Sequence, residues 1–231
     1  MTGPKTGDRV SEYILAERLG AGSFGQVFKA VHHIWKDRAV AVKIPTNPQY
    51  VANLRHEGVA LHGLEHPNIV RAIGLDPYAD PPYFVMEFVD GCSLREVIKS
   101  HQGGIPIPAI FAVLRGVLSG LECAHTRGII HRDIKPENVL IAGGGDGSTD
   151  TIDPADVKIS DFGLGRALHV TTHSIMQSGS LVAEPGKSIS GTLAYMSPEQ
   201  RDGGGDDPRT DLYAVGVMLF ELATGERPSG S

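Results

Sequence analysis

The stretch His131–Leu140, HRDIKPENVL, decides how the chain is read. Between His131 and Asn138 it carries a His, an Arg, an Asp, a Lys, a Glu and an Asn, then runs directly into the apolar Val139 and Leu140. A solvated loop would account for the charges alone. The sharper reading is a set of groups that handle a phosphate, a metal and a proton together. Asp133 would accept or orient a hydroxyl proton, and Lys135 would neutralise charge on a moving phosphoryl group. Asn138 offers a carbonyl oxygen, which suits a hard cation such as Mg²⁺. Downstream, Asp161 in SDFG would be the stronger Mg²⁺ ligand, supplying charge where Asn138 supplies geometry. Such a set matches chemistry that needs mainly positioning and charge neutralisation.

Upstream lies LGAGSFGQV, Leu19–Val27. Glycines at Gly20, Gly22 and Gly25 let backbone amides approach phosphate oxygens because no Cβ stands in the way. Alone this is a weak signal, equally compatible with a glycine-rich hairpin. A dinucleotide fold needs a helix after the glycines, and strand-like residues follow here, so that alternative is excluded. Lys43 sits in AVAVKIP, a β-branched run where a lone Lys is usually an edge residue. A buried acidic partner would make it functional, and Glu57 falls in the stripe Leu54, Glu57, Leu61, Leu64 at helical spacing. Breaking such a strand–helix pair would cost roughly 3–5 kcal/mol. PGKS, Pro185–Ser188, ends like a Walker A loop, but Leu181 stands where that motif needs its first Gly, so it reads as a polar loop.

Along the chain, short β-like runs from Tyr13 to Pro45 predict an antiparallel meander, and NIVRAIGL and YFVMEFV predict two more strands. Pro67 is expected to end the helix that carries Glu57. A second helix is predicted over Pro108–Arg127, with Phe111, Leu114, Leu118 and Leu121 on one face and Gly128 past its end. Ala142–Asp156 reads as a mobile Gly/Asp-rich loop, and residues 165–190 as a Ser/Thr-rich segment without period. DLYAVGVMLFELATG is apolar on nearly every side and predicts a buried helix. The character changes between Phe88 and Gly91, giving an N-terminal tail over 1–12, a β-rich lobe over 13–89 and a helical lobe over 90–231.

The 231 residues, 41% hydrophobic and 21% charged, have an ordinary globular balance. A net charge of −6 does not favour a nucleic-acid partner. Cys92 and Cys123 suggest no disulfide framework, and a reducing cytoplasm fits best. The opening MTGPKTGDRV carries no apolar run, so no signal peptide is expected, and no stretch of about twenty apolar residues is read as a membrane span.

Taken together, these motifs resemble the protein kinase family from about Tyr13 to Pro228, a signature set described for that family in general terms. The resemblance implies an α+β, bilobal fold and an ATP- and Mg²⁺-dependent transfer of the γ-phosphoryl group to Ser/Thr hydroxyls of proteins. LGAGSFGQV is similar to the Gly-rich loop, so Leu19, Gly20, Ala21, Gly22, Ser23, Phe24 and Gly25 would cover the nucleotide. AVKI looks like the strand of the ATP lysine, Lys43, with Glu57 nine residues before His66 as its partner. VMEFVDG resembles the hinge, with Met86 as gatekeeper and Glu87–Val89 contacting adenine, which Val27, Ala41 and Leu140 would sandwich. HRDIKPEN looks like the catalytic loop, in which Asp133, Lys135 and Asn138 take the roles above, and DFG looks like the metal-binding triplet of Asp161. Leu61, Phe162 and His131 would stack as a spine. GTLAYMSPEQ resembles the substrate-docking loop with Thr192, and Asp211 would brace the catalytic loop. AHTRGIIHRDIKPEN and YMSPEQ look like the bacterial Ser/Thr branch. Arg132 would pair with a phosphate on the activation loop, for which Ser188, Ser190 and Thr172 are candidate phosphosites.

The family's last helices have no counterpart before Ser231. A fragment is therefore expected, with an uncovered apolar helix that favours self-association. The alternatives are a nucleotide-binding module without turnover, and a small-molecule kinase of the same fold, against which GTLAYMSPEQ argues.

Overall fold

Short β-branched runs build the first half of the chain, and helices with a small sheet build the second. The computed structural model describes residues 3–21, 25–46, 51–101, 103–143, 152–162, 193–204 and 206–228. The chain divides into two compact units, residues 1–64 with 70–89, and residues 65–69 with 90–231.

The first unit is a six-stranded antiparallel sheet of order β1-β2-β3-β4-β6-β5. Its strands are β1 (Arg9–Val10), β2 (Tyr13–Ala21), β3 (Gly25–His32), β4 (Ala39–Pro45), β5 (Ala72–Asp76) and β6 (Tyr83–Glu87), with helix α1 (Val51–Leu61). The expected tail over 1–12 is corrected at its end. Arg9 and Val10 pair with Ile14 and Tyr13, and Val10 is buried in the core beside Leu15, Phe28 and Val42. The meander forms as read. Helix α1 stops earlier than Pro67 would require, because Gly63 adopts φ 75 and the Leu64 amide turns back to the Leu61 carbonyl at 3.0 Å. Strand β5 begins only at Ala72, and Ile69 instead bridges Ile159 in the second unit.

The second unit holds a three-stranded antiparallel sheet, β7 (Gly91–Ser93), β8 (Val139–Ala142) and β9 (Val157–Ile159). Its helices are α2 (Leu94–Ser100), α3 (Ile107–Thr126), α4 (Pro198–Arg201) and α5 (Arg209–Thr224). Helix α2 starts on a capping box, Ser93 with Glu96. Gly91 is dictated by packing, since a Cβ there would lie 1.9 Å from the Ile141 carbonyl oxygen.

Helix α3 forms close to where expected, but the four large residues read on one face do not share one environment, since only Leu121 of them is buried. Ala109, Ile110, Val113, Gly116, Val117, Gly120, Leu121 and Ala124 are buried, whereas Phe111 and Leu118 are exposed. The reason is close approach. A Cβ on Gly116 would lie 2.6 Å from Val157 Cβ and 2.7 Å from the Pro154 carbonyl oxygen, and one on Gly120 would lie 2.9 Å from the Asn68 carbonyl oxygen. Contrary to the sequence expectation, α3 is long and apolar enough by composition to cross a membrane, but half of it is buried inside the second unit. Gly116→Ala is expected to destabilise the chain by about 1–3 kcal/mol through overpacking, despite about 1 kcal/mol gained in helix propensity. Gly216, in α5, has open space around it, so Gly216→Ala is expected to be neutral or stabilising. Urea unfolding of both variants reads the difference.

Two more expectations change. Within the stretch read as a loop over 142–156, Pro154–Asp156 forms a 3-10 turn capped by Asp153, the Asn68 amide nitrogen donates to the carbonyls of Pro154 and Val157 at 2.5 and 2.7 Å, and residues 144–151 lie outside the described residues. Helix α5 is buried along Thr210, Asp211, Ala214, Val215, Met218, Glu221 and Leu222, while Leu212, Tyr213, Leu219 and Phe220 are exposed. Residues 165–190, including the PGKS stretch, lie outside the described residues.

Candidate active site

In the first unit, strand parity sorts the side chains. Val40, Val42 and Ile44 of β4 enter the core with Phe28, Ala30 and Val85. The alternate residues point the other way. Lys43 is registered with Val27 and Phe84, and Ala41 with Lys29 and Met86, so Val27, Ala41, Lys43 and Met86 share one sheet face. Lys43 is 5% exposed. At the hinge, Glu87 is tied to Arg71 twice, its N–H donating to the Arg71 carbonyl and its carboxylate accepting the Arg71 N–H, each at 3.0 Å. Val89 is half-buried at the end of this unit.

Leu19, Gly20 and Ala21 occupy the exposed end of β2, and Gly25 starts β3. Gly25 has a reason in packing, since a Cβ would lie 2.5 Å from the Ile44 carbonyl oxygen. Gly20 meets nothing within 4 Å, so space does not dictate it. Gly22, Ser23 and Phe24 lie outside the described residues, as does the Glu57 side chain, although Glu57 itself sits on α1.

In the second unit the loop between α3 and β8 is held by one buried acid. Asp211, at the start of α5, is fully buried and accepts three hydrogen bonds: Oδ2 from His131 N–H at 2.9 Å and from His125 Nε2 at 2.8 Å, and Oδ1 from Arg132 N–H at 2.7 Å. Arg132 adopts φ 66, and Gln200 Nε2 donates to its carbonyl at 3.0 Å. A non-glycine residue in that region costs about 1–3 kcal/mol and persists only where its surroundings fix it. His131 is buried, with Nε2 2.8 Å from the Ser160 carbonyl oxygen and its ring 4.6 Å from that of Phe162. The expected His131–Phe162 stacking is therefore present as a tilted contact. Leu61 is buried in the first unit.

The reactive groups follow. Lys135 Nζ donates to Asp133 Oδ2 at 2.8 Å. Asn138 Nδ2 donates to the Asp133 carbonyl at 2.8 Å and to its Oδ2 at 3.2 Å. Burial pushes the Asp133 carboxyl above the usual carboxylate range, while the Lys135 ammonium and the Asn138 amide pull it partly back. The Ser160 N–H donates to the Asn138 carbonyl at 2.9 Å, and Val139 pairs with Ile159, so the β8–β9 pairing brings Asp161 to the same end of the sheet as Asn138. Asp161 also has a left-handed backbone, φ 61. Leu140 is half-buried on β8.

These donors fit a divalent cation of the Mg²⁺ kind. Asn138 turns its amide nitrogen to Asp133, which leaves Oδ1 as its acceptor, and Asp161 adds a carboxylate. Among the described residues no group of three or more His, Cys, Asp or Glu could hold a metal. Mg²⁺ does not require one, since it binds through one or two carboxylates completed by substrate phosphates and waters.

The sequence reading missed several positioning groups. His125 and Gln200 lie within the stretches AHTRGIIHRDIKPEN and YMSPEQ, but no role was read for either. Arg95, on α2, donates to Glu137 at 2.8 Å and to Glu221 at 2.6 Å, and reaches the Tyr195 hydroxyl at 2.5 Å. Tyr195 also donates to Glu221, and burial with that bond raises its hydroxyl pKa. Thr192, Ser188, Ser190 and Thr172 lie outside the described residues.

Comparison with known proteins gives one picture. The protein kinase domain family matches residues 13–231. The serine/threonine-protein kinase PknL of Mycobacterium tuberculosis is 37% identical over 223 residues, covering 94% of this chain and 50% of PknL. The serine/threonine-protein kinase PrkC of Bacillus subtilis is 35% identical, covering 96% of this chain and 32% of PrkC. The chain thus spans half or less of these curated relatives. The crystal structure of the M. tuberculosis PknI kinase domain has the same fold, with a TM-score of 0.70 at 22% identity over 99% of this chain and 78% of that one. With that family matching nearly its whole length, the chain belongs to the protein kinase domain family.

Proposed function

We propose that this chain is an ATP-dependent protein kinase that transfers the γ-phosphoryl group to Ser and Thr hydroxyls of protein substrates. The observation that carries the reading is the buried Asp133 carboxylate held by Lys135 and Asn138 in a loop anchored on Asp211. The family uses ATP with a divalent metal, generally Mg²⁺, and acts on proteins. A cytoplasmic location belongs to the same reading.

In this mechanism the sheet face of Val27, Ala41 and Met86 takes the adenine, and Lys43 pairs with nucleotide phosphates. Asn138 Oδ1 and Asp161 would hold the divalent cation, whose chemistry is neutralisation of phosphate charge. Asp133 accepts the hydrogen bond of the attacking hydroxyl, orients it, and takes its proton as the bond to the γ-phosphorus forms and the bond from that phosphorus to the departing ADP oxygen breaks. Lys135 lies beside Asp133 to meet negative charge on the transferring group.

Two outcomes test the assignment. Lys43→Met is expected to lower kcat/KM by about 10²-fold or more, as loss of a preorganised charge contact does. The acidic limb of the kcat/KM profile should lie above the ordinary Asp pKa of about 3.9, because burial raises Asp133. Lys135→Met removes a group that lowers that pKa, so the limb should move to still higher pH. A limb unmoved in Lys135→Met would contradict the role of the pair.

A further inference from the structure

Lys29 stands on the sheet face that carries the proposed adenine contacts. Its neighbours Phe28 and Ala30 enter the core, so Lys29 takes the opposite face with Val27. It is registered with Ala41, and Ala41 in turn with Met86. On its other side, Glu17 of β2 lies directly across from it. Opposite charges so placed on adjacent strands attract each other. Yet no ion pair joins Lys29 to Glu17 among the described residues. Its ammonium lies instead over the ring of Phe88, 4.3 Å from the ring centroid. Both residues are half-buried, whereas Glu17 is exposed.

The ring belongs to the hinge. Phe88 follows Glu87, the last residue of β6. Glu87 is held on the β5 side, its N–H donating to the Arg71 carbonyl and its carboxylate accepting the Arg71 N–H, each at 3.0 Å. In the order β3-β4-β6-β5, Lys29 reaches the next residue from the opposite flank, across β4. Glu87 and Phe88 are thus bracketed, one by the Arg71 main chain and the other by a cation on an aromatic face. All of these residues lie within the first unit.

We propose that Lys29 is a positioning residue for the nucleotide, holding the hinge main chain over Glu87–Val89 in place through the Phe88 ring. This rests on the kinase reading and concerns affinity, not the chemical step. A hinge that loses the contact samples other arrangements, and apparent affinity falls with the fraction that remains competent. The nucleotide is held alike before and during transfer, so KM rises and kcat does not change.

The experiment is equilibrium binding of ADP–Mg²⁺ by calorimetry, and of adenosine by competition against it. The chains are wild type, Lys29→Met, Lys29→Arg, Phe88→Leu, Glu17→Gln and the double variant Lys29→Met/Phe88→Leu. Lys29→Met should weaken both ligands by the same factor, about threefold to tenfold. Phe88→Leu should weaken them at least as much, and adding Lys29→Met to it should cost nothing more. Lys29→Arg should keep wild-type affinity, since a guanidinium also stacks on an aromatic face. Glu17→Gln should bind as wild type does. In a transfer assay, Lys29→Met should raise KM for ATP by the factor seen in binding and leave kcat as it was. A loss confined to ADP would make Lys29 an attractor of phosphate charge and overturn the proposal. So would losses that multiply in the double variant, or a Glu17→Gln chain as weak as Lys29→Met. A wild type that binds both ligands, beside a Lys29→Met chain that binds them equally well, overturns the clamp alone. A wild type that binds neither overturns the nucleotide reading and the clamp with it. Binding without turnover counts against the kinase reading and leaves the binding series to decide the clamp.

Discussion

Asp133→Asn is expected to abolish measurable phosphoryl transfer, by a factor of about 10²–10⁴, while the chain stays folded. The carboxylate is the group placed to take the hydroxyl proton, and an amide cannot take it. Stability should behave differently. The folded-state pKa of Asp133 is raised by burial, so its contribution to stability is fully present below the unfolded pKa and is lost as pH rises through the folded pKa. At neutral pH the ionised carboxylate therefore gives no net titration benefit that Asn would forfeit. The amide oxygen can still accept from Lys135 or Asn138, which now donate to Asp133 Oδ2 at 2.8 and 3.2 Å. The melting temperature of Asp133→Asn at pH 7 should equal or exceed that of wild type, and any gain should shrink as pH falls toward about 4. Loss of activity together with loss of fold would place Asp133 among structural residues instead.

Asp211→Ala should do the reverse, striking the fold and the activity at once. The substitution strands two backbone N–H groups, those of His131 and Arg132, and the ring nitrogen of His125. Each buried donor left unsatisfied costs about 1–3 kcal/mol, and the combined loss should be roughly 3–5 kcal/mol. The strained φ of Arg132 would lose the contact that holds it, displacing Asp133 next to it. A shift of about 1 Å at a reacting group can cost about 10²-fold in rate. Asp211→Asn keeps the shape but has a single carbonyl oxygen, so it can serve the Oδ1 partner or the Oδ2 partners and not both. It should fall between wild type and Asp211→Ala in urea midpoint and in rate. An Asp211→Ala chain with wild-type stability would mean the loop is held by other contacts.

Much of this was readable from residue order alone. The meander, α3 and α5 announce themselves through β-branched runs and apolar density, and HRDIKPEN places proton, phosphate and metal groups within a few residues of one another. What escaped was decided by contacts far apart in sequence. Periodicity in α3 picks out the face of its large hydrophobes, yet Gly116 and Gly120 set the buried one, because β9 and the turn before it approach too closely for Phe111 or Leu118 to lie between. Glycine has no hydrophobic signature, so periodicity cannot register a stripe of this kind. Strand β1 was missed because two residues are too short for alternation to show. Helix α1 was given the wrong terminator because Pro67 is conspicuous, whereas Gly63 acts only through its left-handed backbone.

Within the site, the division follows chemistry. Asp133, Lys135, Asn138 and Asp161 could be named because their functional groups suit the proposed reaction. His125, Gln200 and Arg95 work through the residues they hold, and nothing in a single sequence says that Arg95 reaches Glu137, Tyr195 and Glu221.

The most direct measurement is transfer of labelled γ-phosphate from ATP–Mg²⁺ to the chain itself and to a generic protein substrate, with the phosphoamino acids separated afterwards. Label on phosphoserine and phosphothreonine, absent in Asp133→Asn, is the expected result. A folded chain that binds ATP yet leaves no label on Ser or Thr would contradict the assignment and favour a nucleotide-binding module without turnover.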